Sequence, residues 1–262
     1  MSDLRILHAM NMVVYTAVLN DHDDLRGPMN GRPHGSGLFN ERYVRYVRYV
    51  DQPMKRPDAQ GWENIRLTTS DHPRRTAKQI KILPHRCFPD ATVSLWMDGS
   101  FSLNYAPAWL AEHGLGDADI ALYPHPYRHE TIYDEAQAVM DCGLDDPAIV
   151  RAQVQRYREL GFPKTGPLYF GGILLRRHSP AMEEFNEAWW REIEQGSIRD
   201  QLSLPVLLWQ RPHLKVRLME PEDMPTSLDP KGGSQGNPMY ANRWVRFHNH
   251  KQKEALCSPQ PA

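Results

Sequence analysis

An apolar run that ends on a carboxylate is the first feature of chemical interest. In Ser94-Leu-Trp-Met-Asp98-Gly-Ser100 the chain reads as a strand stopping at Asp98, and Gly99 lets the backbone turn closely beside the carboxylate. A hard divalent cation takes oxygen ligands; a strand-end carboxylate supplies one and a nucleoside diphosphate can complete the shell. The plainer reading is an ordinary strand-end turn, where Asp and Gly are common. Upstream, in Asp71-His-Pro-Arg74-Arg75-Thr-Ala-Lys78-Gln-Ile-Lys81, the residues Arg74, Lys78 and Lys81 fall at spacings of four and three and share one helix face, while Ala77 and Ile80 turn to the core. Such a basic stripe suits phosphate oxygens, with Arg as a two-pronged donor; its alternative is a solvated face.

Three further clusters carry polar chemistry. Tyr123-Pro-His125-Pro-Tyr-Arg128-His129 places two imidazoles four apart, but its prolines break the helix that would align them on a zinc ion, and zinc needs a third ligand. Polar ligand contacts and structural hydrogen bonds are the other readings. Ser197-Ile-Arg199-Asp200-Gln201-Leu-Ser203 follows a helix closing at Gly196; Asp200 reads as an acid/base group, a sugar-hydroxyl acceptor or a plain helix cap. Near the C-terminus, Trp244-Val-Arg246-Phe-His248-Asn-His250-Lys251 points His248 and His250 to one side of a strand, where either can complete a metal shell and Lys251 can meet a phosphate, unless the segment is a surface strand end.

These clusters need a scaffold, and strands alternating with helices supply one. Strands are expected over Met12–Leu19, Tyr43–Val50, Trp62–Thr68, Ala91–Met97, Asp119–Tyr123, Leu168–Arg176 and Leu214–Met219. Helices are expected over Pro73–Leu83, over Pro107–His113 closed by Gly114, after a Thr131/Asp134 capping box, after Asp146-Pro147, from Ser179-Pro180, and over Leu202–Leu208. Met182, Phe185, Trp189 and Ile193 form the clearest apolar stripe. Asn30–Asn40 reads as loop and Glu220–Tyr240 as a loop or lid, with Trp244–Lys251 ordered again. The pattern predicts an α/β domain with a mostly parallel sheet covered on both faces, residues 1–257, and a frayed tail over 258–262. Ligands of such sheets bind beyond the carboxyl ends of the strands, which selects the loop after Leu19, the Asp98 turn and the His125 turn.

Composition narrows the function classes. The 31 Lys+Arg against 32 Asp+Glu leave a net charge of -1, which argues against nucleic acid as a main partner. No run approaches the length of a membrane span, the N-terminus has no signal-like pattern, and three widely spaced cysteines suit a reducing cytoplasm.

Taken in order, several segments resemble a glycosyltransferase-like domain family that includes plant mucilage- and pectin-related proteins and bacterial sugar-transfer proteins. The resembling residues are Val14-Tyr-Thr16-Ala, Pro73-Arg-Arg-Thr-Ala-Lys78-Gln-Ile-Lys81, Leu95-Trp-Met-Asp98-Gly-Ser100, Ile132-Tyr-Asp-Glu135-Ala, Gly171-Gly-Ile-Leu-Leu-Arg176, Trp189-Trp190 and Ser197-Ile-Arg-Asp200-Gln-Leu-Ser203. The resemblance implies a GT-A-like Rossmann-type fold, a nucleotide-diphosphate sugar donor, a glycan or other hydroxyl acceptor, and a DxD-like turn with Mn2+ or Mg2+. Asp98 matches the first acidic position; Ser100 stands at the second, so His248 or His250 is a candidate to complete the shell. Asp200 and Gln201 resemble the Asp-Gln pair of retaining transferases and are the catalytic candidates. Tyr15, Thr16, Arg74, Arg75, Lys78, Asp98 and Lys251 are candidates for the donor, and His125 and Glu135 for sugar or acceptor. The expectation is thus a cytoplasmic, metal-assisted hexosyltransferase-like enzyme. Its rivals are a zinc hydrolase built on the histidines and an inactive glycan- or nucleotide-binding module.

Overall fold

The computed structural model describes residues 11–34, 43–53, 61–68, 72–125, 131–219 and 245–248. The strands are β1 Met12–Val18, β2 Met29–His34, β3 Val44–Val50, β4 Glu63–Arg66, β5 Val93–Met97, β6 Phe101–Tyr105, β7 Ile120–Pro124, β8 Tyr169–Arg177, β9 Val216–Leu218 and β10 Val245–Phe247. The α-helices are α1 Pro73–Ile82, α2 Pro84–Cys87, α3 Pro107–Leu110, α4 Ile132–Asp141, α5 Pro147–Glu159, α6 Pro180–Gln195 and α7 Asp200–Trp209.

Seven strands form the main sheet in the order β4-β3-β1-β5-β8-β7-β9. All pairs are parallel except those of β8, which runs antiparallel to both β5 and β7. The expected mostly parallel α/β sheet is therefore present. From β1 the chain builds outward to β3 and β4 on one side and then places β5 on the other. The carboxyl ends of β1 and β5 thus flank the point where the strand order reverses, the usual ligand position in such sheets. Two apolar layers hold the sheet. One, around Tyr15, Trp96, Leu174, Phe185 and Trp189, lies under α1, α6 and α7; the other, around Met12, Leu95, Leu103 and Ile173, lies toward the smaller sheet β10-β6-β2.

The expected caps form as chemistry requires. Thr131 Oγ1 accepts from the amides of Tyr133 and Asp134 and donates to Asp134, and Asp146 accepts from the Ala148 amide ahead of α5. The stripe Met182, Phe185, Trp189 and Ile193 is buried as predicted.

Three local expectations are corrected. Within Asn30–Asn40, expected as loop, residues up to His34 continue β2, which pairs irregularly with β6. Strand β6 itself was not expected, because the Asp98-Gly-Ser100 turn masks the apolar alternation of Phe101, Leu103 and Tyr105. The helix expected over Pro107–His113 is α-helical only to Leu110; it widens into a π-turn over Ala111–Leu115 and closes at Gly116, not Gly114, because Gly116 takes φ 58°. The Glu220–Tyr240 lid, the 258–262 tail, His129, His250 and Lys251 lie outside the described residues.

Candidate functional site

Asp98 leaves β5 at the strand-order reversal. Its amide donates to the Gly172 carbonyl at 2.8 Å, and its Oδ1 accepts the Trp96 indole N–H at 2.8 Å. Opposite it, β8 bulges: Leu122 pairs with Leu174 and Tyr123 with Phe170, so Gly171, Gly172 and Ile173 are skipped by β7. The bulge requires glycine. A Cβ on Gly172 would stand 3.0 Å from Asp98 Oδ2 and collide with the Phe170 ring, and one on Gly171 would stand 2.7 Å from Lys81 Nζ and 3.1 Å from Asp200 Oδ2. The Gly-Gly pair is the wall between the two carboxylates.

Helix α1 starts with Pro73 at its first turn and carries the cations to this wall. Lys78 Nζ lies 2.8 Å from Asp200 Oδ1, and Lys81 Nζ pairs with Asp200 Oδ2. The Lys81 and Asp200 side chains are 2% and 3% exposed, whereas Lys78 is 24% exposed. Lys78 is thus the ammonium that a ligand can reach. Burial pushes it down to about 8, with Asp200 and Asp98 pulling upward and Lys81 adding to the fall. Burial alone would raise the Asp200 carboxyl, but the two lysines outweigh it and hold the group well below the ordinary carboxylate range.

A depressed carboxyl contributes stability that is present above its unfolded value and disappears as the pH falls through the native one. The stability of the wild type against urea is therefore expected to fall as the pH drops below Asp200's ordinary value of 3.8. Asp200→Asn is expected to flatten that acid limb; an unchanged limb excludes Asp200 as its source.

Beside Asp98, a cleft of about 200 Å³, its open mouth included, is lined by Thr16, Asp24, Arg26, Arg48, Trp62 and Asp98 among others. Thr16 Oγ1 is buried in it and has no hydrogen-bond partner among the described residues. Arg48 is buried, donates to Asn64 and to the Arg26 carbonyl, and lies over the Trp62 ring.

The structure brings Thr16, Lys78, Asp98 and Asp200 to one region and turns Tyr15 away from it. Tyr15 points to the opposite side of β1: it is fully buried, and its hydroxyl donates to the Lys81 carbonyl and accepts from Arg176. Arg74 is exposed and reaches the Leu144 carbonyl at 3.5 Å, while Arg75 is half-buried with no hydrogen bond or ion pair to a described residue. Glu135 is fully buried on α4, 3.5 Å from Arg199, and Arg199 also donates to Gln201 Oε1 at 3.1 Å. His125 is buried where β7 ends. Asp200 opens α7 without capping it, since its oxygens are engaged by lysines.

Ser100 Oγ is buried with no partner among the described residues, and the Ser100 carbonyl accepts the His248 amide at 2.6 Å. The His248 ring meets Ser102 Oγ at 3.2 Å. Among the described residues no three His, Cys, Asp or Glu side chains gather as a metal shell. Asp98, with Oδ1 already accepting from Trp96, fits a Mg2+- or Mn2+-type cation that keeps waters and brings phosphate oxygens with it, rather than one caged by protein ligands.

Sequence reasoning placed Lys81 on the basic face but missed its pairing with Asp200, and it missed Trp96, Asp24, Arg26, Arg48 and Trp62. Two signals were available: Lys81 follows Lys78 at helical spacing, and adjacent glycines inside a strand mark a bulge or close approach.

Among the described residues no helix is long and apolar enough to cross a membrane. Comparison with known proteins gives the chain its relatives. It is 30% identical over 224 residues to the probable hexosyltransferase MUCI70 of Arabidopsis thaliana, covering 76% of this chain and 37% of that protein. It is 24% identical over 251 residues to the alkaline ceramidase TOD1 of the same plant, covering 84% of this chain and 53% of that one. The chain thus spans between about a third and a half of the length of these relatives. The family described as TOD1/MUCI70, glycosyltransferase-like domain, matches residues 1–222, which include the Asp98 turn, the α1 lysines, the β8 bulge and Asp200. With the matched region covering both the sheet and the charged site at its strand-order reversal, the chain belongs to the TOD1/MUCI70 glycosyltransferase-like domain family.

Proposed function

We propose that this chain transfers a hexosyl group from a nucleoside-diphosphate sugar to a glycan or other hydroxyl acceptor. The observation that carries this reading is that, at the strand-order reversal, the strand-end carboxylate Asp98 stands within electrostatic reach of a partly exposed ammonium, Lys78, which is itself ion-paired to Asp200. Breaking a glycosidic bond to a diphosphate builds negative charge on the departing oxygen, and a fixed cation there lowers the barrier. Lys78 supplies that charge, and Asp200 and Lys81 hold it in place. Thr16 offers its unpaired hydroxyl to the nucleoside. Arg74, Arg75 and Lys251 are further cations for the donor. Gln201 faces the sugar, and His125 and Glu135 serve the acceptor side, Glu135 by orienting Arg199. Asp98 would hold a divalent cation, with Ser100, His248 and His250 as further candidate donors, His248 being joined to the Ser100 carbonyl through its amide. When bound, that cation supplies additional charge neutralisation on the diphosphate. The cytoplasm is the compartment proposed from the three widely spaced cysteines, of which Cys87 and Cys142 are free among the described residues.

Zinc hydrolysis requires three or more protein ligands around the ion; no such group gathers among the described residues, and His129 and His250 of that reading lie outside them. The test is a thermal-shift screen of UDP, GDP, CDP and ADP and their sugars, with and without Mn2+. Selective stabilisation of the wild type is expected, since a ligand at 100 times its Kd adds about 2.7 kcal/mol. Asp98→Ala is expected to abolish the Mn2+-supported shift and to cost the unliganded protein about 1–3 kcal/mol, since the buried Trp96 N–H loses its acceptor. Survival of that shift in Asp98→Ala removes the site assignment. Binding without turnover across the donor panel leaves a binding module, and tight stoichiometric zinc with nucleotide-free hydrolysis leaves the hydrolase.

A further inference from the structure

We infer that Trp96 is a positioning residue for Asp98, fixing through its indole N–H which carboxylate oxygen faces the donor. This rests on the reading of Asp98 given above. Trp96 lies on β5 two residues before Asp98 and is 3% exposed, so its polar edge is withdrawn from water. The N–H spends itself on Asp98 Oδ1 at 2.8 Å. Without it, a carboxylate on a strand end rotates freely about its terminal bond, and both oxygens compete for any cation or donor hydroxyl. With it, Oδ1 is engaged and Oδ2 is left on the side of Gly172, whose missing Cβ keeps that oxygen clear. A bond from a neutral donor to a carboxylate is among the stronger protein hydrogen bonds, so the orientation is well defined.

The ring itself is held by two neighbouring groups. The Tyr15 ring meets it edge-on at 5.2 Å between centroids, and Lys81 Nζ lies 6.0 Å from its centroid. Lys81 is the same ammonium that engages Asp200, and Tyr15 is the hydroxyl that engages the Lys81 carbonyl. The indole therefore links the carboxylate that faces the donor to Lys81, the buried lysine that with Lys78 holds Asp200. Its location is a buried one that neither charge nor spacing in the sequence reveals.

The experiment compares wild type, Trp96→Phe, a chain carrying benzothienylalanine at position 96, and Asp98→Asn. Benzothienylalanine keeps the bicyclic shape and replaces only the N–H by sulfur, which separates loss of the bond from loss of packing. The readouts are binding of UDP, GDP, CDP and ADP by calorimetry with and without Mn2+, and KM against kcat for any donor turned over. The benzothienylalanine chain is expected to keep the unliganded melting point, to bind the preferred nucleotide with Mn2+ about tenfold or more weakly, in line with loss of a hydrogen bond to a charged group, and to raise KM more than it lowers kcat. Trp96→Phe is expected to show the same binding loss with some loss of stability. If Asp98→Asn weakens Mn2+-supported binding and the benzothienylalanine chain does not, the role of Trp96 is overturned and the site reading stands. If Asp98→Asn itself leaves binding intact, the site reading falls and this inference falls with it.

Discussion

Asp200→Ala is expected to destabilise the fold by about 3–5 kcal/mol, the usual cost of removing one partner from a buried ion pair. The carboxylate answers two ammonium groups, and one of them, Lys81, has almost no access to water. Removing it leaves that charge buried beside Gly171 with nothing opposite, while Lys78 can still turn outward. Urea unfolding measures the loss, and the same protein is expected to lose donor turnover by a hundredfold or more because Lys78 is no longer held. A second variant separates the charge from the shape. Asp200→Asn combined with Lys81→Met removes the buried pair together, and exchanging such a pair for neutral groups of similar size is often nearly neutral for stability. At least half of the lost stability is expected to return, but not the activity. A loss below about 1 kcal/mol in Asp200→Ala contradicts a buried clamp.

The same residue shows what the sequence exposes and what it hides. Spacing placed Lys78 and Lys81 on one helix face, and the apolar stop at Asp98 marked the end of β5. Both are local signals, carried by residues three or four apart, and both are present in the fold. The partner of the lysines is not local: Asp200 is 122 residues from Lys78 and opens a different helix. Nothing in its own neighbourhood separates a cap from a counter-ion, so a cap remained a fair reading until α7 was seen to start with its carboxylate turned to α1. Tyr15 shows the complementary limit. It stands at the expected place on the first strand, but strand side chains alternate, and which of Tyr15 and Thr16 faces the cleft depends on which face α1 covers. Strand β6 escaped because the turn residues before it outweighed a short alternation, and β2 because Met29–His34 itself carries Asn, Gly and Pro.

Arg176→Met is expected to cost about 3 kcal/mol and to loosen the last turn of α1, for a reason that no sequence motif announces. Arg176 is fully buried on β8 and has no carboxylate partner among the described residues. Its guanidinium donates instead to the carbonyls of Lys81 and Ile82, to the Tyr15 hydroxyl and to Asn186 Oδ1. Those two carbonyls belong to the final turn of α1, where the helix leaves acceptors unsatisfied and its dipole presents negative charge. The helix end therefore stands in for an acid. Burial lowers the guanidinium's proton affinity, and the Tyr15 hydroxyl opposes that fall; an arginine nevertheless stays charged. Methionine fills much of the volume but leaves buried acceptors without donors, each worth about 1–3 kcal/mol. Lysine is expected to rescue little, because one ammonium cannot span four acceptors on three elements. Urea midpoints measure the stability, and amide hydrogen exchange reads the loosening at Gln79, Ile80 and Lys81. Faster exchange confined to that turn, together with weaker nucleoside-diphosphate binding, ties Arg176 to the placement of Lys78. Equal protection in wild type and variant shows that α1 is held by its apolar face alone, and the lysine pair then depends on Asp200 without help from the opposite end of the helix.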